Sequence, residues 1–219
     1  MTRKKLVLVG DSAFAQVAYE YFTYDSDYSV AGFTVEQAYL KDSELFGLPV
    51  VPLEHDEDSF DPSTHHFYVA ITYGQRNELR RRLFESMKQK GYPPASYVSS
   101  RAFVWRNCEI GEHAFIFENN VVQPFVKIGT NVVLWSGNHI GHHSTIGSNC
   151  FFSSHVVVSG FVNVGDSCFL GVNSTVANNL TIGDRCLISA GALVLRDVDE
   201  GRTVVGMWRG ADKSAPSRT

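Results

Sequence analysis

The chain has no run approaching the roughly 18 to 20 consecutive apolar residues that cross a bilayer. Its first residues, MTRKKLVLVGDSA, also lack the long apolar core of a leader peptide. No membrane partner is therefore expected, and a cytoplasmic location is the default reading. An excess of positive charge is missing as well: 19 Lys and Arg stand against 23 Asp and Glu, a formal net charge of -4, so no nucleic acid partner is expected. Closely spaced cysteine pairs are absent. The four cysteines are Cys108, Cys150, Cys168 and Cys186, the last three 18 residues apart. A ladder on parallel strands does not converge on a tetrahedral metal, so they read as small buried hydrophobes and no metal is expected. The three-glycine dinucleotide fingerprint is missing too, with only Gly10 present in the turn GDSAFA.

What the chain does have is a period of six. From Ser96 to Asp197 it divides without insertion into seventeen hexads, among them NHIGHH, STIGSN, CFFSSH and CFLGVN. The third position is aliphatic in every hexad except for Phe152. Six fits neither the 3.6 of a helix nor the 2 of an alternating strand, because three extended residues are followed by three turn-like ones rich in Gly, Ser, Asn and Asp. The pattern predicts a parallel β-helix of three hexads per coil, in which residues 18 apart stack. One coil cannot bury its own inner face, so stacking makes the core. First and third positions are expected to point inward, which places all four cysteines inside.

The first 94 residues read differently. KLVLV at Lys5 to Val9 ends at Gly10 and is followed by a helical stretch from Ala13 to Tyr24. Strand candidates follow at Tyr28 to Val35, at Gly47 to Pro52, and at His66 to Ile71. Gln75 to Lys90, with Leu79, Leu83 and Met87 on one stripe, reads as an amphipathic surface helix ended by Gly91. Residues 1–94 are thus expected to form a small Rossmann-like βαβ domain, with Pro93 and Pro94 at the boundary and residues 95–219 forming the β-helix and a polar tail from Val198. The turn Gly10, Asp11, Ser12, Ala13 is either a phosphate-binding turn, using the first amides of the helix and the Ser12 hydroxyl, or a structural one. Glu36 stands where a carboxylate would meet a ribose hydroxyl.

Four histidines cluster in the β-helix, at His139, His142, His143 and His155. Hexad phase puts His139 on a flat wall and His142 with His143 on a corner, with Gly160 one coil above His142. A glycine there leaves a notch through which a thin ligand passes close to the imidazole. Imidazole near its unperturbed pKa of about 6.5 suits removal of a proton from an attacking amine or hydroxyl. No serine or cysteine is paired with it as a nucleophile, which favours direct attack of the acceptor on an acyl donor.

With the hexads, the run from His142 to Gly147 and CFLGVN at 168–173, the chain resembles the two-domain hexapeptide acyltransferases. These join a small βαβ domain to a left-handed β-helix and include nucleotide-linked amino-sugar N-acetyltransferases and sialic acid O-acetyltransferases. The resemblance implies a homotrimer that binds acetyl-CoA as co-substrate between neighbouring β-helices and acts on a nucleotide-linked sugar. It makes His142 the catalytic base. The family's partner at the next position is often a glutamate, where this chain has His143. Gly160, Val172 and Ala190 fall where the pantetheine arm lies, and Arg185, Arg209 and Lys213 are candidates for the CoA phosphates. The acceptor is expected on Gly10, Asp11, Ser12 and Ala13 together with Thr72 and Tyr73, its amine directed at His142. Trp208 and Arg209 are expected to cap the open end of the β-helix.

Two rival readings stay open. One keeps the fold and donor but acetylates a sugar hydroxyl. The other, of a different class, is a non-catalytic nucleotide-binding or scaffolding β-helix.

Overall fold

The computed structural model describes residues 3–206. Five strands and two α-helices precede the β-helix: β1 (Lys4–Val9), α1 (Ala13–Tyr24), β2 (Tyr28–Val35), β3 (Glu44–Leu45), β4 (Leu48–Pro52), β5 (His65–Val69) and α2 (Glu78–Gln89). The sheet order is β3-β4-β2-β1-β5, parallel except for the hairpin of β3 with β4. Gly10 turns the chain out of β1 at φ +114, and a Cβ there would sit 3.2 Å from the Ala70 carbonyl oxygen, so glycine suits this turn on both counts. The helices cover opposite faces of the sheet. Phe14, Ala18 and Phe22 of α1 pack on Leu6, Leu8 and Phe33, whereas Leu83, Phe84 and Met87 of α2 pack on Val7, Phe67 and Val69.

Two details of α2 depart from the sequence reading. The helix begins three residues later than expected, because Gln75, Arg76 and Asn77 are all left-handed, with φ of 53, 54 and 65. The buried Asn77 side chain explains the turn: its Nδ2 donates to Cys168 O at 3.2 Å, and its Oδ1 accepts from Arg80 at 3.0 Å. Nor is α2 a purely surface helix. Arg80 is completely buried, donating from Nη2 to Asn149 O and Cys150 O while its guanidinium lies 5.8 Å from the Phe151 ring centre.

Residues from Tyr97 onward wind as a left-handed β-helix whose strands pair in parallel with the strands 18 residues away. Its three walls differ in what their outward side chains meet. The docked wall presents Tyr97, Phe115, Val133, Phe151, Phe169 and Leu187, and the first four of these share a core with α1 and β5. The polar wall presents Glu109, Lys127, Thr145, Asn163 and Thr181 to water. The open wall presents Phe103, Val121, His139, Val157, Thr175 and Leu193. Phe103 is 52% and Leu193 59% exposed.

Third-position side chains from Ile116 onward are buried, as expected. The lowest coil is the exception: Val98 is exposed, and Val104, Ile110 and Cys108 are only half-buried, because no coil lies beneath them. Cys150, Cys168 and Cys186 point inward and are buried. At the far end the β-helix continues past Asp197, since Val198 bridges Ile182 and Thr203–Val204 adds a strand to the docked wall. The turns explain the recurrent asparagine. Sixth-position residues from His113 to Arg185, apart from Gly137, adopt φ between 56 and 66, a region that Asn tolerates and most side chains avoid.

Among the described residues no helix is long and apolar enough to cross a membrane.

Candidate active site

The corner between the open and polar walls carries His142 and His143. Both are exposed, and coils above and below hold their backbone: His142 N donates to Gln123 Oε1 at 2.9 Å, and His143 N donates to Pro124 O at 3.1 Å. The His142 ring leans toward the next coil and occupies the space over Gly160. A Cβ at Gly160 would stand 2.8 Å from its Cε1 and 2.9 Å from its Nε2, so the notch anticipated from the hexads exists, and the imidazole fills it.

His143 is clamped. Its ring stacks between Phe125 at 4.5 Å and Phe161 at 4.8 Å, and its Nδ1 lies 3.2 Å from the Nδ1 of His142. One ring nitrogen of this pair must donate and the other accept. When His142 donates, its Nε2 keeps the free lone pair that a base requires. Phe161 also meets the His142 ring edge-on at 5.1 Å. Phe125 and Phe161 sit 18 residues on either side of His143, the column that the hexad phase puts through it.

A second site lies at the carboxyl ends of the parallel strands, where ligands of open α/β sheets bind. A cavity of about 260 Å³ is lined by Gly10, Asp11 and Ser12 on one side and by Glu36, Tyr39 and Lys41 on the other, over an apolar floor that includes Val35, Ile71 and Leu83. Ser12 precedes α1 without spending its hydroxyl on a capping hydrogen bond. Both Glu36 oxygens accept from Arg82 at 2.9 Å, so that carboxylate is already paired. Ala13, Thr72 and Tyr73 do not line this cavity. All three are exposed, and Tyr73 lies against Phe169, ring centres 4.0 Å apart. Tyr39 and Lys41 were missed, because no spacing rule marks a loop that folds back over a strand end.

The candidate donor residues divide between corners. Val172 and Ala190 stack at the corner joining the docked and open walls, whereas Gly160 lies with His142 at the opposite edge of the open wall. Arg185 is exposed at the third corner, away from both. Arg209, Lys213 and Trp208 lie outside the described residues. Within one chain the cavity and His142 face apart. The cavity belongs to the sheet packed on the docked wall, and His142 sits on the corner opposite that wall.

A buried polar ladder joins the two parts of the chain. Val69 N donates to His113 Nε2 at 2.8 Å, His113 Nδ1 meets Asn131 Oδ1 at 2.9 Å, and Asn131 Nδ2 donates to Asn149 Oδ1 at 2.9 Å. Burial pushes the His113 imidazole down to about 3, which keeps it neutral and able to accept at Nε2. A larger cavity of about 430 Å³, between the end of α1 and the first coil, is lined by groups bonded to one another: Tyr21 to Glu118 at 2.7 Å, and Ser100 N to Asp25 at 3.0 Å.

The family described as bacterial transferase hexapeptide (six repeats) matches residues 107–142 and 161–196. No curated protein matches the sequence. Among solved structures, the chain is similar to the acetyltransferase domain of PglB from Neisseria gonorrhoeae FA1090, with a TM-score of 0.82 and 20% identity over 94% of this chain and 100% of that one. PerB from Caulobacter crescentus, solved in complex with CoA and GDP-perosamine, gives 0.80 and 23% over 91% of this chain and 92% of that one. WeeI from Acinetobacter baumannii AYE gives 0.62 and 20% over 93% and 97%. At these identities the likeness is one of fold.

Proposed function

From a β-helix that carries bacterial transferase hexapeptide repeats, we propose that this chain is an acetyl-CoA-dependent N-acetyltransferase acting on a nucleotide-linked amino sugar. The observation that carries the reading is the His142 imidazole, on an exposed side chain lying over Gly160 with its Nδ1 against His143. Two further facts support it. The PglB domain has also been solved with acetyl coenzyme A, and the Caulobacter perosamine N-acetyltransferase with CoA and GDP-perosamine after replacement of a histidine by asparagine.

In this reading residues 1–94 hold the acceptor and residues 95–219 transfer the acyl group. The turn Gly10 to Ser12 receives the phosphates of the nucleotide through α1 amides and the Ser12 hydroxyl, and the apolar floor receives its base. The sugar's amine attacks the thioester carbonyl carbon. A C–N bond forms, the amine proton passes to His142 Nε2, and the electron pair of the carbonyl moves to oxygen. That pair then re-forms the carbonyl as the C–S bond breaks, and the CoA thiolate leaves, taking up the proton from His142.

Because cavity and base face away from each other in one chain, the site is built between copies. The open wall supplies the surface for that assembly, with Phe103, Val157 and Leu193 exposed on it. Three copies around an axis parallel to the β-helix, each turning this wall inward, form a closed ring. The arrangement is the homotrimer that the resemblance implies.

The test is free-thiol release from acetyl-CoA across a set of nucleotide-linked amino sugars. An alkali-stable acetylated product supports N-acetylation, an alkali-labile one identifies a hydroxyl acceptor, and no acetyl-CoA binding at all leaves the scaffold reading.

A further inference from the structure

His142 has a counterpart on the other edge of the open wall. His155 ends the hexad CFFSSH at the corner between the docked and open walls, with its backbone left-handed at φ 60 and its N–H bonded to Ser136 O at 3.0 Å. Its side chain is exposed. The ring lies over Gly137: a Cβ there would stand 2.6 Å from both Cε1 and Nδ1. Each edge of the open wall thus carries one exposed imidazole folded over a glycine of an adjacent coil.

The two rings lean in opposite axial directions, each toward the height of the other. His155 follows His142 by 13 of the 18 residues in a coil, an offset of about 3.5 Å along the axis at a strand spacing of about 4.8 Å. The His142 ring leans toward the later coil, over Gly160, and the His155 ring toward the earlier one, over Gly137. Within one chain the whole open wall separates them. In a ring of three copies that turn this wall inward, the docked-to-open corner of one copy meets the open-to-polar corner of the next, and a parallel axis preserves heights.

We infer that His155 of one copy completes the active site of its neighbour. It faces the neighbouring copy's His142 across the groove and donates a ring N–H to the carbonyl oxygen of the acyl group as the C–N bond forms. His155 makes and breaks no covalent bond. It stabilises the negative charge that builds on oxygen while His142 takes the amine proton. The inference rests on the acyl-transfer reading above and adds to it a residue supplied in trans.

The experiment uses three full-length variants, H142A, H155A and H155Q, with acetyl-CoA and the acceptor identified by thiol release. Size-exclusion chromatography first establishes that each assembles like the native protein. H155A is expected to lose on the order of 10²-fold in kcat, with the KM for acetyl-CoA moving less than about threefold. H155Q, which keeps an N–H donor, is expected to retain more. H142A and H155A are then co-expressed so that their chains mix within one assembly. Residues acting in trans restore about one complete site in four in random mixed rings, so activity returns to well above either parent. An H155A enzyme with native kcat, or mixed assemblies no more active than their parents, overturns the inference. The acyl-transfer reading is judged separately, by the activity of H142A alone.

Discussion

His142 and His143 meet Nδ1 to Nδ1 at 3.2 Å, and the His143 ring is held in place by Phe125 and Phe161 on its two faces. In the proposed acyl transfer, a neighbour so fixed holds His142 in one orientation and accepts its N–H as it takes up the amine proton. His143→Ala is therefore expected to lower kcat tenfold or more while leaving the KM for acetyl-CoA unchanged, and His143→Glu to keep more activity than the alanine variant. Equal loss in the two variants, or a change in KM alone, would argue against a positioning role.

Gly160 is the second handle on the same ring. Its backbone is unstrained, so Gly160→Ala introduces only a methyl group 2.8 to 2.9 Å from His142 Cε1 and Nε2. The imidazole must swing away, and kcat is expected to fall on the order of 10- to 10²-fold with little change in Tm. Native turnover in this variant would show that the ring's position over Gly160 is not the reactive one.

Docking of the N-terminal sheet rests on an aromatic face. Phe115 is fully buried and lies within 6.1 Å, centre to centre, of the rings of Phe14, Tyr21, Phe22, Tyr68, Tyr97 and Phe117. Phe115→Ala is expected to cost about 3–5 kcal/mol, read from denaturant unfolding, with amides of α1 losing exchange protection before those of the β-helix. Simultaneous loss along the whole chain would mean that the two parts unfold as one unit.

Acid stability follows from His113. Its folded-state pKa is about 3 against about 6.5 when unfolded, so the unfolded chain binds a proton that the folded one refuses. The stabilisation is complete above pH 6.5 and is lost as pH falls toward 3, on the order of 5 kcal/mol over the full window. His113→Gln is expected to be less stable at pH 7, through the weakened Val69 N–H contact, yet to lose less on acidification to pH 4. Urea unfolding at both pH values checks this, and an unchanged slope would contradict it.

Much of this was legible because the β-helix is a strict repeat. A six-residue period fixes which side chains point inward, which lie on corners and which stack, so Ile140, Cys150 and His142 were placed correctly from phase alone. The outer surface was legible in principle but went unread: Tyr97, Phe115, Val133, Phe151, Phe169 and Leu187 recur every 18 residues as an apolar outward ladder, and that ladder is the docking face. What could not be read depends on contacts between distant segments. Arg80 looks like one of a run of surface arginines until the carbonyls of Asn149 and Cys150 are brought to it. The left-handed run Gln75 to Asn77 exists because Asn77 reaches Cys168, a partner 91 residues away. Tyr73 lies against Phe169, a contact between segments 96 residues apart that no local pattern announces.

The central claim is that His142 removes the proton from an amine attacking acetyl-CoA. The direct measurement compares native protein with His142→Asn at saturating acetyl-CoA and a nucleotide-linked amino sugar, following thiol release and the acetylated product. The account predicts an alkali-stable N-acetyl product and a fall in kcat of about 10²- to 10⁴-fold in the variant, with the assembly intact. Turnover by the variant equal to that of the native protein, or no acetyl transfer to any nucleotide-linked amino sugar, would contradict it.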